Sequence, residues 1–301
     1  MTRQPARTSV PTVHGELLLM PAEYAGSVGV KVLSLAPGNA TIGRPRIQAT
    51  YILMDAVTLT PLLHLDGAAL TTLRTPALAA VAVDALAPES AHRLVVFGAG
   101  PQAEGHVHAF RAVRPIDEVR IISRSADSAF ALVRRLRDQG IEASVGRADD
   151  VARAEIVATA TSSPTPVFDN AMVSDGAVVT AVGSHHPGHR ELDSVLMRRA
   201  EMVVEDAETG LREAGDVVMA VADGSLRADD LHSLGAVVAD EDHPLRAHRR
   251  SGAAVFKSVG QGWQDLVIPR ALQDARRTRS LLQPEPARLP RTEHRSGDFS
   301  D

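Results

Sequence analysis

One short segment of this 301-residue chain constrains its fold more than any other. Residues 94–97 read LVVF and run directly into Gly98-Ala99-Gly100, which the helix-like stretch PQAEGHVHAF follows. In a strand–turn–helix unit that binds a pyrophosphate, the first glycine permits the tight turn and the second lets the backbone approach the phosphates. The third position needs only a small residue, and Ala103 meets that need. The segment therefore predicts a dinucleotide-binding turn formed by Gly98, Gly100, Pro101, Gln102 and Ala103.

The segments that follow residue 92 alternate between strand-like and helix-like patterns. Strand-like runs include RLVVF, EVRIIS, EIVATAT and AVVTAVG, and helix-like runs cover 101–113 and 126–140. Such alternation is typical of a doubly wound parallel sheet. We therefore expect an α/β fold with a Rossmann-type nucleotide-binding domain over residues 91–235.

The flanking segments, residues 1–88 and 236–283, are expected to join in a smaller, split α+β domain. Residues 29–39 predict a strand and a turn, and residues 48–66 predict a hairpin around Asp55–Thr60. Ligand binding is expected in the cleft between the two domains, at the carboxyl ends of the parallel strands.

Helix signals in the flanking segments are less regular. Thr75 and Pro76 suit the N-cap and the first position of a helix over 75–87. The final helix, within 266–282, is expected to be interrupted near Pro269, and the polar residues 284–301 are expected to be disordered.

The composition excludes several classes of function. The net charge is −5 and no basic block is present, which argues against binding to nucleic acids or to membrane surfaces. The absence of cysteine excludes disulfides, a thiolate nucleophile and a Cys-ligated metal. SHHPGH (184–189) lacks a second cluster of acids and histidines, so no metal site is expected. With no signal peptide and no run long enough to span a membrane, a cytoplasmic protein is expected.

The end of the second parallel strand bears on the choice of dinucleotide. An NAD site usually places a carboxylate there for the ribose 2′-hydroxyl. Here the residues are Ser123, Arg124 and Ser125, whose hydroxyls and guanidinium suit a 2′-phosphate. NADP is therefore favoured over NAD, although Arg124 could also be a solvated loop residue.

Two cations outside the Rossmann-type domain are candidates for substrate binding. Arg74 precedes the expected helix start at Thr75, where a guanidinium could hold a carboxylate; a purely structural arginine is the equal alternative. Lys31 lies on a strand whose two faces are both apolar, so it projects into a buried setting. It needs a partner or has a function there, unless its side chain reaches solvent near the strand end.

Five segments together resemble one known family. They are KVLSLAPGN, LHLDGAALTTLRTPA, VVFGAGPQA, AVGSHHPGHRELD and VFKSVG, and in this order they are similar to the ornithine cyclodeaminase and mu-crystallin family over about residues 6–280. The resemblance implies a homodimer in which the split domain binds substrate and mediates dimerisation. It also implies a nicotinamide cofactor, NADP or NAD, and a small amino or imino acid as substrate.

The resemblance assigns roles to individual residues. Lys31 and Arg74 match the family's substrate-binding lysine and arginine, and Arg7 matches an arginine that binds the substrate carboxylate. Lys31 and Asp223 are the implied catalytic residues, with Asp216 as a rival for the acid. Residues expected near the cofactor are Thr159, Thr161, Val182, Gly183 and Ser184, in addition to the glycine turn and Ser123–Ser125.

Two departures from the family pattern shape the expected function. Few residues precede Arg7, so the split domain is expected to be short at its N-terminus. Leu18 occupies the place of an acid that ornithine-specific members carry, although Glu16 is close in register. We therefore expect an imino-acid reductase or amino-acid dehydrogenase. The alternatives are an ornithine cyclodeaminase-type lyase with catalytic NAD and a crystallin-like protein that binds cofactor without turnover.

Overall fold

The computed structural model describes residues 2–247 and 250–282. Within them the first sheet is antiparallel and has six strands: β1 (Thr2–Arg3), β2 (Thr8–Thr12), β3 (Gly15–Tyr24), β4 (Ser27–Leu35), β5 (Ile47–Asp55) and β6 (Pro61–Asp66). The strand order is β1-β3-β4-β5-β6, and β2 also pairs with β3. The predicted hairpin around Asp55–Thr60 is confirmed as the connection between β5 and β6.

The second sheet is parallel, as the alternating pattern predicts, and the α/β fold class is confirmed. Its eight strands in the described part of the chain are β7 (Arg93–Phe97), β8 (Glu118–Ile122), β9 (Ala143–Val145), β10 (Ile156–Thr159), β11 (Val178–Ala181), β12 (Glu201–Val204), β13 (Leu231–Ser233) and β14 (Ala254–Lys257). Their order is β13-β12-β14-β11-β10-β7-β8-β9. Two separate apolar layers pack around these strands.

The helices connect and cover these sheets. They are α1 (Gly67–Leu86), α2 (Pro101–Arg111), α3 (Ala126–Asp138), α4 (Ser194–Arg199), α5 (Ala207–Glu213), α6 (Gly215–Ala222), α7 (Leu234–Ala239) and α8 (Gly262–Leu282). Short 3₁₀ helices cover Pro37–Ile42, Ala148–Arg153, Asn170–Met172 and Ala228–Asp230.

Helix α1 begins eight residues before the predicted start at Thr75, and that prediction was wrong. Asp66 is the N-cap, because its Oδ1 accepts hydrogen bonds from the N–H groups of Ala68 (2.8 Å) and Ala69 (3.0 Å). Pro76 lies inside the helix. Arg74 is therefore an interior helical residue and does not lie at a helix N-terminus.

Helix α1 also lies between the two sheets. It contacts β4 and β5 of the antiparallel sheet and β11 and β14 of the parallel sheet. Contrary to the sequence prediction, α1 is long and apolar enough to span a membrane, but more than half of its most apolar window is buried in the protein. A buried core helix of this kind places Arg74 at the junction of the sheets.

The C-terminal part of the chain crosses between the sheets. Sequence analysis placed residues 254–257 in the split domain, but β14 pairs with β11 and β12 inside the parallel sheet. Helix α8 then returns to the antiparallel sheet and packs on β3 and β4, and Pro269 lies within it without interrupting it. Residues 284–301, predicted to be disordered, lie outside the described residues.

Candidate active site

Lys31 lies in the middle of β4 and is almost completely buried, with 1% of its surface exposed. The strand alternates as predicted, so Lys31 shares its buried face with Gly29, Leu33 and Leu35. Its cross-strand neighbours are Met20 on β3 and Tyr51 on β5. A lysine at this depth needs a charged partner.

That partner is Asp265, in the first turn of α8. Lys31 Nζ lies 2.8 Å from Asp265 Oδ2, and Arg74 Nε donates to Asp265 Oδ1 at 2.9 Å. Arg74 Nη1 also donates to Gln264 Oε1 at 2.7 Å, and Lys31 Nζ donates to Thr71 Oγ1 at 3.2 Å. One carboxylate therefore joins the strand lysine to the helix arginine. Sequence analysis missed Asp265, which reads there as an ordinary acid near a helix start.

The pKa of Lys31 lies close to neutral pH. Burial, together with the positive charge of Arg74, lowers the pKa of Lys31 to about 8, although Asp265 opposes this change. Burial also raises the pKa of the Tyr51 hydroxyl, and the charge of Asp265 adds to that effect. A lysine with a pKa near 8 can both donate and accept a proton under physiological conditions.

Arg7 precedes β2 and reaches the segment that follows β14. Its Nε lies 2.7 Å from Glu213 Oε2, and its Nη2 donates to the carbonyls of Val259 (3.0 Å) and Gly260 (2.8 Å). Gly260 has a φ of +78°, and a Cβ there would lie 2.6 Å from Arg74 Nη2. The turn at Gly260 therefore separates the two guanidinium groups, and both reach the same region.

The carboxylate of Glu205 holds this turn in place by accepting several hydrogen bonds. The Glu205 carboxylate accepts from Ser258 Oγ (2.6 Å), from the N–H of Val259 (3.1 Å) and from Gln264 Nε2 (2.7 Å). Because Gln264 also binds Arg74, the same carboxylate helps to orient the arginine.

The glycine turn has the geometry that a phosphate requires. Gly98 has a φ of +121°, and a Cβ there would lie 2.6 Å from the carbonyl oxygen of Ala160. No atom lies within 4 Å of a Cβ placed on Gly100, and no side chain caps the start of α2. Ala103 is fully buried. The residues present therefore fit a dinucleotide pyrophosphate at the N-terminus of α2.

The glycine turn is linked directly to the lysine site. Pro101 is the first residue of α2, and Gln102 Nε2 donates to the backbone carbonyl of Thr71 at 3.2 Å. Thr71 Oγ1 accepts from Lys31. A ligand on the turn and a ligand at Lys31 would thus be held by adjoining residues.

Ser123, Arg124 and Ser125 follow β8, the neighbour of β7 in the sheet. The N–H of Gly98 donates to the carbonyl of Ile122 at 2.8 Å, which places this segment beside the glycine turn. Ser125 Oγ caps α3 by accepting from the N–H of Ser128, and Arg124 is exposed. The guanidinium is therefore accessible at the edge of the turn.

Glu191 holds together the residues expected near the nicotinamide. Its carboxylate is fully buried and accepts from Thr159 Oγ1 (3.0 Å), Thr161 N (2.8 Å) and Gly183 N (2.7 Å). The N–H of Val182 donates to the carbonyl of Thr159 at 3.0 Å. The structure therefore brings these residues together at the ends of β10 and β11, through an acid that sequence analysis missed.

A buried ion pair supports the same loops. Lys257 Nζ lies 2.8 Å from Asp216 Oδ2 and donates to the carbonyl of Ser184 at 2.7 Å. Asp216 Oδ1 accepts from the N–H groups of Glu191 and Leu192. Asp216 is therefore a buried structural partner of the loop and does not contact the Lys31 cluster.

In the described part of the chain, Asp223 has no hydrogen bond or ion pair with the other predicted site residues. It follows α6, where its carboxylate accepts from Ser194 Oγ and from the N–H of Ser225. These hydrogen bonds lower the pKa of Asp223. Among the described residues, the acid that contacts Lys31 and Arg74 is Asp265.

His185 lies in the loop that follows β11, and its surface is exposed although nearby protein atoms partly desolvate it. This desolvation, with the positive charges of Arg7 and Lys257, lowers the pKa of His185. Arg7 therefore lies close enough to His185 for its charge to act on the imidazole.

An apolar surface adjoins Lys31 on the antiparallel sheet. Leu18 pairs with Leu33 across β3 and β4, and both pack with Leu35 and Ala49. Glu16 is two residues from Leu18 on the same strand face, where its Oε2 accepts from Ser9 Oγ at 2.6 Å. Beyond Lys31, this strand face therefore carries hydrocarbon side chains, and Glu16 lies at its edge.

Comparison with known proteins agrees with this geometry. The sequence model of the ornithine cyclodeaminase/mu-crystallin family matches residues 1–279. The chain is 35% identical over 284 residues to the Delta(1)-pyrroline-2-carboxylate reductase of Bacillus cereus, covering 91% of this chain and 86% of that protein.

Two solved structures are similar over most of their length. The Delta(1)-pyrroline-2-carboxylate reductase of Thermococcus litoralis, in complex with NADH and L-proline, matches with a TM-score of 0.85 and 27% identity, covering 93% of this chain and 88% of that one. An archaeal alanine dehydrogenase dimer with bound NAD also has a TM-score of 0.85, with 30% identity and coverage of 93% and 87%. This protein is therefore a member of the ornithine cyclodeaminase/mu-crystallin family.

Proposed function

We propose that this protein is an NAD(P)-dependent oxidoreductase that reduces a small imino acid or, in reverse, oxidises the corresponding amino acid. The observation that carries the proposal is the buried Lys31–Asp265–Arg74 cluster, which adjoins the glycine turn through Thr71 and Gln102. Relatives named as reductases of a cyclic imino acid and as an alanine dehydrogenase support it.

Arg74 and Arg7 bind the substrate carboxylate in this proposal. Arg74 uses Nε and Nη1 for Asp265 and Gln264, and Arg7 uses Nε and Nη2 for Glu213 and the Gly260 turn. Within the described residues, Arg74 Nη2 and Arg7 Nη1 have no hydrogen-bond acceptor. They remain available to carboxylate oxygens, which guanidinium groups bind strongly.

Lys31 is the proton donor to the substrate nitrogen. The bound nicotinamide supplies a hydride in reduction and accepts one in oxidation. The ammonium of Lys31 donates one proton to the imine nitrogen; with the hydride that a bound nicotinamide would supply to the α-carbon, the C=N double bond would become a C–N single bond. Lys31 then takes up a proton from solvent. A pKa of about 8 suits this exchange near neutral pH.

The substrate has a short, uncharged side chain or ring. Leu18, Leu33 and Leu35 line the surface beyond Lys31, and a distal ammonium placed against them would lose its hydration without gaining a partner. Ornithine is therefore disfavoured, and a cyclic imino acid or a small aliphatic one fits the hydrocarbon surface.

The cofactor is NADPH in preference to NADH. Arg124 and its flanking serines offer a guanidinium and hydroxyls beside the glycine turn, where a 2′-phosphate would lie. The protein is also proposed to be a homodimer, as the archaeal alanine dehydrogenase is. Because it needs the cellular pool of nicotinamide cofactor, we place it in the cytoplasm.

The test is oxidation of NADPH and NADH, followed at 340 nm, with two substrate sets: cyclic imines that carry a carboxylate, and 2-oxo acids with ammonia or methylamine. Lys31→Ala and Arg74→Ala should each lose at least about 100-fold in kcat/KM, because proton transfer and substrate positioning each contribute on that scale. Both should still bind NADPH by fluorescence titration. Exposed Arg134 on α3 provides the matched control, Arg134→Ala.

Three outcomes would overturn the proposal. Full activity in both variants would remove Lys31 and Arg74 from the reaction. Conversion of ornithine to proline and ammonia without net change in cofactor would identify a lyase. Tight NADPH binding with no turnover of any substrate would identify a cofactor-binding protein.

A further inference from the structure

Asp265 has an unusual position for a carboxylate. It is fully buried and contacts two cations that are themselves buried, Lys31 at 2.8 Å and Arg74 at 2.9 Å. Its two oxygens are divided between them, Oδ2 to the lysine and Oδ1 to the arginine. A carboxylate held in this way has one orientation, and it fixes the separation of its two partners.

The charges around Lys31 do not all act in the same direction. Arg74 on α1 and Arg7 before β2 disfavour the ammonium form, whereas Asp265 on α8 favours it. Tyr51 faces Lys31 from β5 and is neutral, since its pKa is raised, and Met20 on β3 carries no charge. Asp265 is the one negative charge among these neighbours of Lys31.

We propose that Asp265 is the positioning residue of the site: it holds Lys31 and Arg74 in one arrangement and keeps Lys31 protonated. The consequence for catalysis rests on the proposed function, because it requires Lys31 to be the proton donor. The effect on Lys31 itself does not depend on that function and can be measured without turnover.

The expected size of the effect follows from the distance. An opposite charge within about 4–6 Å shifts a pKa by about one to three pH units. Without the Asp265 charge, the midpoint for Lys31 should fall from about 8 to about 7 or lower, so most molecules would carry a neutral lysine at pH 7.5.

The chain makes a direct measurement simple because it contains only two lysines, Lys31 and Lys257. Protein labelled with ¹³C at lysine Cε should give two signals by NMR, and Lys31→Arg assigns them. Lys257 lies in a separate ion pair with Asp216, so an unchanged Lys257 signal reports that a variant is folded.

The variants are Asp265→Asn, Asp265→Glu and a control, Asp274→Asn. Asp274 is on α8 as well, but its side chain is 60% exposed and pairs only weakly with Arg270 at 3.7 Å. Asp265→Asn should lower the Lys31 midpoint by at least about one pH unit. Asp265→Glu should keep it near the wild-type value, because the charge remains, and Asp274→Asn should leave it unchanged. A Lys31 midpoint that is unchanged in Asp265→Asn would overturn the proposal.

Asp265→Asn could fail to fold, since it leaves two buried cations with a neutral partner. The wild-type protein then provides the test. The ¹³Cγ signal of Asp265, assigned by its loss in Asp265→Glu, should shift at the same pH as the Lys31 Cε signal. A carboxylate signal that does not respond at that pH would overturn the proposal.

Kinetics separate positioning from a purely structural role. In Asp265→Asn, the fall of kcat/KM with rising pH should begin at least about one pH unit lower than in wild type. In Asp265→Glu, KM should rise severalfold, because the longer side chain displaces Arg74, while the pH profile stays in place. If the NMR midpoint moves and the kinetic profile does not, Asp265 still controls Lys31, and it is the proposed proton transfer from Lys31 that fails.

Discussion

Gly105 of α2 approaches Pro76 of α1 so closely that no side chain fits between them. A Cβ on Gly105 would lie 2.8 Å from Pro76 Cγ and 3.2 Å from the carbonyl oxygen of Thr72. Pro76 has no N–H to donate to that carbonyl, so α1 lacks one backbone hydrogen bond where α2 packs against it. The helix that begins at the glycine turn is thereby fixed against the helix that carries the substrate arginine.

Replacement of Gly105 should therefore disturb both stability and cofactor binding. Gly105→Val should lower the free energy of unfolding by about 1–3 kcal/mol, because the helices must move apart to accept the side chain. It should also raise the Kd for NADPH severalfold, since α2 carries the turn. Urea denaturation and fluorescence titration measure the two effects. His108→Val, at an exposed position of α2, controls for the helix propensity of valine, and equal effects from both variants would contradict the prediction.

A methyl group at Gly98 should weaken dinucleotide binding. Its φ of +121° and the 2.6 Å approach of a Cβ to Ala160 O leave no unstrained position for a side chain. Gly98→Ala should raise the Kd for NADPH at least about tenfold, because the turn must open. Gly140→Ala is the matched control, since Gly140 also has a positive φ (+75°) but open space around it. An unchanged Kd in Gly98→Ala, or an equal loss of affinity in Gly140→Ala, would refute this account of the turn.

Substitution of Arg124 should change cofactor preference more than overall activity. Arg124→Ser should lower kcat/KM for NADPH at least about tenfold, the cost of losing charge-assisted bonds to a phosphate, and should leave kcat/KM for NADH nearly unchanged. Arg134→Ser, another exposed arginine on the adjoining helix, should alter neither value. A wild-type enzyme that prefers NADH would show that Arg124 does not read the 2′-phosphate.

Burial of Lys31 should make stability depend on pH in a defined window. Its pKa is about 8 in the folded protein and has an ordinary value of 10.5, so between these values the unfolded chain binds more protons than the native one. The contribution of Lys31 to stability therefore increases as the pH rises from about 8 to 10.5, by about 3 kcal/mol in total. Urea denaturation of wild type and Lys31→Met at pH 7.5 and pH 10 measures it. A wild-type advantage that does not grow with pH would be inconsistent with the lowered pKa.

The sequence pattern predicts the parallel sheet well because each strand is a short apolar run followed by a helix. Local sequence signals predicted the start of α1 less well, because the segment contains two possible helix starts. Thr75-Pro76 resembles a helix start, yet Asp66 caps the helix earlier and the tertiary contacts of α1 accommodate the proline. Likewise, the apolar run at 254–257 shows that a strand forms there, but not which sheet it joins.

Some candidate site residues could be predicted from the sequence and others could not. Lys31 was found because a charge in an apolar strand is conspicuous, and its burial is confirmed. Asp265 and Glu191 were missed because most of their partners are distant in the chain. Asp265 is 191 residues from Arg74, and Glu191 is 32 residues from Thr159. No local pattern marks an acid whose partners are so far away.

The position of β14 has a consequence for synthesis of the protein. This strand lies between β11 and β12, so it supplies hydrogen-bonding partners to both neighbours in the interior of the sheet. Until residues 254–257 have left the ribosome, β11 and β12 of the nascent chain lack the strand that lies between them. The nucleotide-binding sheet therefore closes only after most of the chain has been translated, and the emerging polypeptide must keep two unpaired strand edges from aggregating until then.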